Sequence, residues 1–331
     1  MSVNDNDFRW RIPRSATSFQ FVNNARLIAK AVLAISAALT CPMSAVFAND
    51  PPKLNPDTGF QEAMLPSEFQ AGPTRVEILV PDRMKEGGEF PVLYILPVGK
   101  PGPEFGSGLE EAKKADIANK LGVICVAPQF TLVPWYGNHA TDPAIRQEEH
   151  ILKRLIPFID SQYPTQRNPE DRWLIGFSKS GWGAFTLLLR NPDVFGYAAA
   201  WDAPLMLTGD DGGKKWGPMG IDKVFGTKEA FQQFLPTRLA EQNASRLKQR
   251  PRLVLGVGSF WKPQGTKFHD VLEQLGVPHV YQPDLLVPHR WDTGWFPPLV
   301  ESLAKTARAA GSTGKPSPAT PPKPPAGQPA Q

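Results

Sequence analysis

Apolar positions along the chain fall into two alternating patterns. Short runs rich in branched and aromatic residues, at 75–80, 90–96, 122–127, 171–177, 196–201, 252–258 and 278–282, have the length and make-up of strands. Between them lie stretches of helical period. One is expected over 107–121, and another over 143–163, where Leu152, Leu155, Ile156 and Ile159 share a face and Arg146, Glu148, Glu149, Lys153 and Arg154 lie elsewhere. Two more are expected over 179–190 and near 267–275. Residues 203–250, with the glycine-rich 209–213 and a helix-like run over 228–248, read as a lid-like insertion or an extended crossover. Near-continuous apolar strands alternating with helices predict the α/β class: a mostly parallel central sheet with helices on both faces.

The two ends do not share this pattern. Arg9, Arg11, Arg14, Arg26 and Lys30 precede the apolar stretch 31–39, and Val46-Phe47-Ala48 supplies the residues that a signal peptidase reads. Residues 1–48 are therefore expected to be a cleaved export signal, with an uncleaved membrane anchor as the alternative, and cleavage would leave the protein in a periplasm or outside the cell with no stable membrane insertion. A lipid anchor on Cys41 is disfavoured by Thr40 before it. Residues 311–331, rich in Pro, Ala, Gly and Ser, lack apolar periodicity and read as a disordered tail. The folded domain is expected over 49–310.

Of the two cysteines, cleavage would leave only Cys125, so the domain would hold no internal disulfide. Cys125 sits in an apolar strand without a basic neighbour and reads as a packed thiol. The net charge of +4 is small and comes partly from the two ends, so nucleic acid is not implied. The spacing of Cys, His, Asp and Gly matches no zinc, calcium or phosphate-loop motif, and no metal or organic cofactor is expected.

The chemistry concentrates in residues 171–186, an apolar strand that runs through Gly176-Phe-Ser-Lys-Ser-Gly181 into a helix. A serine at such a turn is held clear of the backbone, while Gly176, Ser180 and Gly181 let strand and helix approach without Cβ clashes. Ser178 is the candidate nucleophile.

From this turn, the strand ending Leu96-Pro97, Trp135-Tyr136-Gly137-Asn138, the helix end 155–160 before Tyr163-Pro164, and Val287-Pro-His-Arg-Trp291, the chain resembles a group of α/β-hydrolase esterases over residues 70–305. The group includes esterase D, feruloyl esterases, enterochelin esterases and mycolyltransferases. The resemblance implies a triad in the chain order Ser, acid, His, with His289 as the base. It also implies two backbone N–H donors for the oxyanion. One is Lys179; the other is Val98 or Gly99, because Pro97 has no N–H and the group's usual His-Gly pair is replaced by Pro97-Val98-Gly99.

The acid departs from the pattern. The turn after residue 258 reads Ser259-Phe260-Trp261-Lys262, with no carboxylate. Some α/β-hydrolases carry the acid one strand earlier, which selects Asp202, with Asp270, Asp284 and Asp292 in reserve.

Aromatic residues crowd the same loops. Trp135, Tyr136, Trp182, Trp201, Phe260, Trp261, Trp291 and Trp295 are expected to form a stacking surface for a sugar face or an aryl group. The expected function is an exported serine esterase acting through an acyl-enzyme, on a small-molecule or carbohydrate ester that includes hydroxycinnamoyl esters. The alternatives are a non-catalytic carbohydrate-binding or scaffold protein on the same fold, and an acyltransferase.

Overall fold

The computed structural model describes residues 50–84, 87–99, 102–208 and 220–312. The expected export signal lies outside them, as do residues 313–331 of the expected tail and 209–213 of the expected insertion. In chain order the strands are β1 (Lys53–Leu54), β2 (Gln61–Leu65), β3 (Thr74–Leu79), β4 (Val92–Ile95), β5 (Ile124–Pro128), β6 (Arg172–Phe177), β7 (Tyr197–Trp201), β8 (Leu253–Gly256) and β9 (Val280–Gln282). The helices are α1 (Gly108–Lys114), α2 (Ile117–Leu121), α3 (Gln147–His150), α4 (Ile156–Gln162), α5 (Ser178–Arg190), α6 (Ile221–Phe225), α7 (Lys228–Gln232), α8 (Pro236–Leu247), α9 (Lys262–Gln274) and α10 (Phe296–Ser312).

The strands form one sheet in the order β1-β2-β3-β5-β4-β6-β7-β8-β9. β1, β2 and β3 pair antiparallel and β3 joins β5 antiparallel, while β5, β4, β6, β7, β8 and β9 run parallel. Side chains of alternate parity feed two cores. Val92, Tyr94, Leu174, Ala198, Ala200, Leu253 and Leu255 pack with α4, α5 and α8 on one face. Leu93, Ile95, Trp173, Ile175, Phe177, Ala199 and Val254 pack with α1, α2 and α10 on the other. Burial on both faces explains why these strands read as continuous apolar runs.

Local chemistry adjusts several expected elements. The helix expected over 107–121 is two, because Asp116 takes a left-handed φ of 57° between them. Pro157 has no N–H for Lys153, and a π turn at Ile151–Leu155 takes up the misfit between α3 and α4. The run 228–248 breaks at Pro236, which opens α8. α10 extends through Gly311 and Ser312, so the expected tail boundary at 311 falls inside a helix. Its stripe of Phe296, Leu299, Val300, Leu303 and Ala304 is buried, and Pro297 and Pro298 sit in the first turn, where no N–H is needed.

Candidate active site

β6 delivers Ser178 to the carboxyl end of the sheet, where it begins α5. Its φ of 54° is left-handed, a conformation that costs a non-glycine residue of order 1 kcal/mol or more. Packing holds it there. A Cβ on Gly176 would lie 2.4 Å from the backbone of Ser180, and one on Gly181 would lie 3.0 Å from both Ala203 Cβ and the Gly176 carbonyl oxygen. Ser180 Oγ accepts from Phe177 N at 3.0 Å and donates to Phe177 O at 2.8 Å, locking the turn. Ser178 is 8% exposed, so the hydroxyl lies in a narrow site rather than on an open rim.

The neighbouring strand β7, in register Phe177↔Trp201, is followed at once by Asp202 beside Ser178. Asp202 also has positive φ, 42°, and its carbonyl accepts from Ser178 N at 3.2 Å. Its carboxylate is fully buried and triply held. Oδ2 meets His289 Nδ1 at 2.7 Å and Phe260 N at 3.1 Å, and Oδ1 accepts from Trp261 N at 2.6 Å. The turn after β8, which lacks a carboxylate of its own, thus donates two N–H groups to the carboxylate from β7. Gly258 makes the room: a Cβ there would come within 2.4 Å of Asp202 Cγ. A carboxylate can only accept, so Nδ1 of His289 carries the proton and Nε2 is the basic nitrogen.

Of the other acids, Asp292 forms a two-point pair with Arg290, whose guanidinium holds its carboxyl below the usual range. Asp270 and Asp284 are exposed. Neither of these two, nor Asp292, bonds to His289 among the described residues.

The loop carrying His289 is pinned at several points. Trp201 Nε1 donates to Leu285 O at 3.0 Å, Ser259 Oγ to Val287 O at 3.2 Å, and Trp291 N to Phe105 O at 2.9 Å. The imidazole packs edge-on to Phe177 at 5.0 Å and stacks on Phe260 at 4.8 Å. Among the described residues Ser178 Oγ makes no hydrogen bond to this ring; such bonds commonly tighten only when substrate is bound.

The loop expected to supply the second oxyanion donor continues the β4–β6 ladder through Leu96 N to Ile175 O at 2.8 Å, which brings Pro97 level with Phe177. Tyr136 Oη donates to the Pro97 carbonyl. In a trans peptide C=O and N–H point oppositely, so this bond turns Val98 N–H to the other side, and that N–H has no acceptor among the described residues. Lys179 N lies in the first turn of α5, where helix geometry leaves backbone donors free and the dipole favours negative charge. Burial lowers the pKa of the Lys179 ammonium, an effect opposed by Glu104.

The expected aromatic surface is corrected. Trp135, Tyr136, Trp182 and Trp201 are wholly buried and Trp291 is 2% exposed, so none offers an open face. They build the site from behind. Tyr136 fills the space left by Gly183, where a Cβ would meet its ring at 2.0 Å, and its N–H and that of Trp135 donate to Gln147 Oε1. Trp201 stacks on Trp295 at 4.6 Å beneath the histidine loop. Trp261 is half-buried, and Phe260, stacked on His289, is 64% exposed, the most open aromatic ring at the site among the described residues. Gln147 and Gly258 were not singled out from the sequence; their roles are packing complements of Tyr136 and Asp202, which no local motif encodes.

The family model described as "Putative esterase" matches residues 132–271, a span holding Ser178 and Asp202. Two curated esterases from strains of Mycobacterium tuberculosis are 27% identical over 141 residues, covering 41% of this chain and 30% of their own length. The chain thus spans less than a third of those relatives. Among solved structures, a ferulic acid esterase matches with a TM-score of 0.57 at 17% identity, covering 75% of this chain and 96% of that one. The Staphylococcus aureus fluorophosphonate-binding serine hydrolase F matches with a TM-score of 0.60 at 15% identity, over 78% and 99%. An S-formylglutathione hydrolase from Agrobacterium tumefaciens matches with 0.60 at 16%, over 77% and 98%. The structural likenesses carry the fold, a mostly parallel sheet flanked by helices as in those esterases and hydrolases, and residues 132–271 are similar in sequence to the putative-esterase family.

Proposed function

We propose that the chain is an exported serine esterase that cleaves a carboxylic ester through an acyl-enzyme. The observation that carries this reading is the 2.7 Å contact between His289 Nδ1 and the buried Asp202 carboxylate, one strand from Ser178 in its left-handed turn. In the forward step Ser178 Oγ attacks the ester carbonyl carbon as His289 Nε2 takes its proton. The oxyanion that forms is met by the N–H groups of Lys179 and Val98, with Gly99 next in the same loop. Collapse expels the alcohol, which receives the proton from His289. Water then repeats the sequence on the acyl-serine, returns the free acid and regenerates the hydroxyl. Asp202 stabilises the imidazolium at each stage and holds its tautomer.

The substrate proposed is a small-molecule or carbohydrate ester with an aryl or hydroxycinnamoyl acyl group. The exposed Phe260 ring supplies its stacking face, in place of the tryptophans that lie in the core. The basic and apolar pattern of residues 9–48 supports export, and no described helix is long and apolar enough to cross a membrane.

Labelling with a fluorophosphonate probe tests the nucleophile. Peptide mapping should place the adduct on Ser178, and Ser178→Ala should abolish both labelling and turnover of a short aryl ester. An adduct on another residue would defeat the assignment. Product analysis with a competing alcohol distinguishes hydrolysis from acyl transfer.

A further inference from the structure

At the opposite end of the sheet from Ser178, three side chains come together that the proposed chemistry does not use. His269 and Glu273 lie on α9 four residues apart and so share a face. His279 immediately precedes β9, whose parallel register, Val280↔Val254 and Gln282↔Gly256, sets it at the amino end of the sheet, with the Gly258 turn beyond the other end. One ligand atom from each of the three lies within 4.8 Å of the others.

We propose that His269, His279 and Glu273 form a binding site for a divalent transition-metal ion, with Zn²⁺ the best-matched, clipping α9 to the edge strand β9.

The arrangement of protons supports this. His279 Nδ1 lies 2.9 Å from the Val277 carbonyl, which can only accept, so Nδ1 carries the proton and Nε2 presents a lone pair. A ring nitrogen fixed by a backbone carbonyl on its far side is the usual outer support of a metal-bound histidine. That lone pair faces His269 Nδ1 at 2.8 Å, so in the metal-free protein His269 must donate Nδ1–H into the gap. A cation placed between the rings replaces this proton. His269 shifts its hydrogen to Nε2, both rings stay neutral, and the exchange needs no redox partner.

Glu273 Oε1 stands 3.9 Å from His279 Nδ1, the protonated nitrogen, so its exposed side chain must swing toward Nε2 to join the two rings. Two nitrogens bound tetrahedrally at about 2.0–2.1 Å stand about 3.3 Å apart, so the rings must open by roughly half an ångström. Tyr281 lies flat against His269, with centroids 3.8 Å apart and planes 1° from parallel, which fixes the ring plane during that opening. The His279 side chain is 1% exposed and Glu273 is 66% exposed, so the carboxylate marks the open side by which an ion and a completing water would enter. Two imidazoles and one carboxylate favour Zn²⁺, Cu²⁺ or Ni²⁺ over the oxygen-seeking Mg²⁺ and Ca²⁺. The spacing escapes motif searches because its ligands come from a helix and from the loop before a strand.

The test uses the chelator-treated, tag-free chain in equilibrium dialysis against ZnCl₂, with Co²⁺ as a visible-absorption probe. One Zn²⁺ per chain is expected, with a rise in thermal midpoint, unchanged aryl-ester turnover and no saturable Mg²⁺ binding. His269→Gln should weaken binding by at least about 10-fold. Glu273→Gln, on an exposed side chain that the fold does not need, should weaken it in the same direction. Absence of saturable Zn²⁺ binding by the unaltered chain, or binding that both variants retain at full affinity, would overturn the proposal.

Discussion

The two ends of the parallel strands are built on opposite principles. At the amino end, charged side chains satisfy ordinary backbone. Arg252 donates to the carbonyls of Gly196, Pro192 and Phe195 at 2.8, 2.9 and 2.6 Å, and Arg172 pairs with Asp160 at 2.8 Å. At the carboxyl end, Ser178 and Asp202 are non-glycine residues at positive φ, and a buried carboxylate depends on three contacts from two loops. Strain and buried charge persist only where surrounding packing over-determines them. The difference separates the parts of the molecule that hold the sheet from the parts that prepare it for chemistry.

The sharpest break of this comparison comes from substitutions that move one property and spare the other. Ser178→Ala should lower turnover by about 10⁶-fold, while its thermal midpoint stays near that of the unaltered chain, because alanine keeps the Cβ and loses only the hydroxyl. Arg252→Met should do the reverse. It removes a buried guanidinium that satisfies three carbonyls and should cost about 3 kcal/mol in urea unfolding, with the rate per folded molecule unchanged.

Acid should expose the weaker end. His150 is buried against Phe130 and Thr74, beside the Tyr136 loop, and burial lowers its pKa to about 4. Its unfolded value is near 6.5, so between those values the unfolded chain binds more protons and stability falls as pH falls. The loss begins below about pH 6.5 and is complete below about pH 4, amounting to about 3 kcal/mol. Denaturation curves across this window check it, and His150→Phe should flatten them. The smallest effect is expected from Tyr136→Phe. Losing the donor to the Pro97 carbonyl should free the Val98 peptide and lower kcat by about 10- to 100-fold, with little change in stability.

How much of this was legible in the sequence follows the same division. The parallel strands and the Ser178 turn announce themselves through apolar runs and obligatory small residues, which are local properties. Asp202 could be chosen only by resemblance, because what qualifies it is the pair of N–H donors at Phe260 and Trp261, 58 and 59 residues away. The tryptophans were misplaced because their positions near loops say nothing about which way the rings turn. Trp135, Trp182 and Trp201 turn inward, and the site gains support from them without gaining a surface. α10 has a plain apolar stripe that the sequence analysis does not assign, and Pro297 and Pro298 stand in its first turn, where no N–H is needed.

The claim on which the site rests is that the acid comes from β7 and is clamped by the turn after β8. Its most direct measurement is aryl-ester turnover in four parallel variants: Asp202→Asn, Asp270→Asn, Asp284→Asn and Asp292→Asn. Asp202→Asn should lose about 10⁴ in kcat with its fold retained, and the other three should stay within about twofold of the unaltered chain. Full activity in Asp202→Asn, together with a loss of that size in one of the others, would contradict the account.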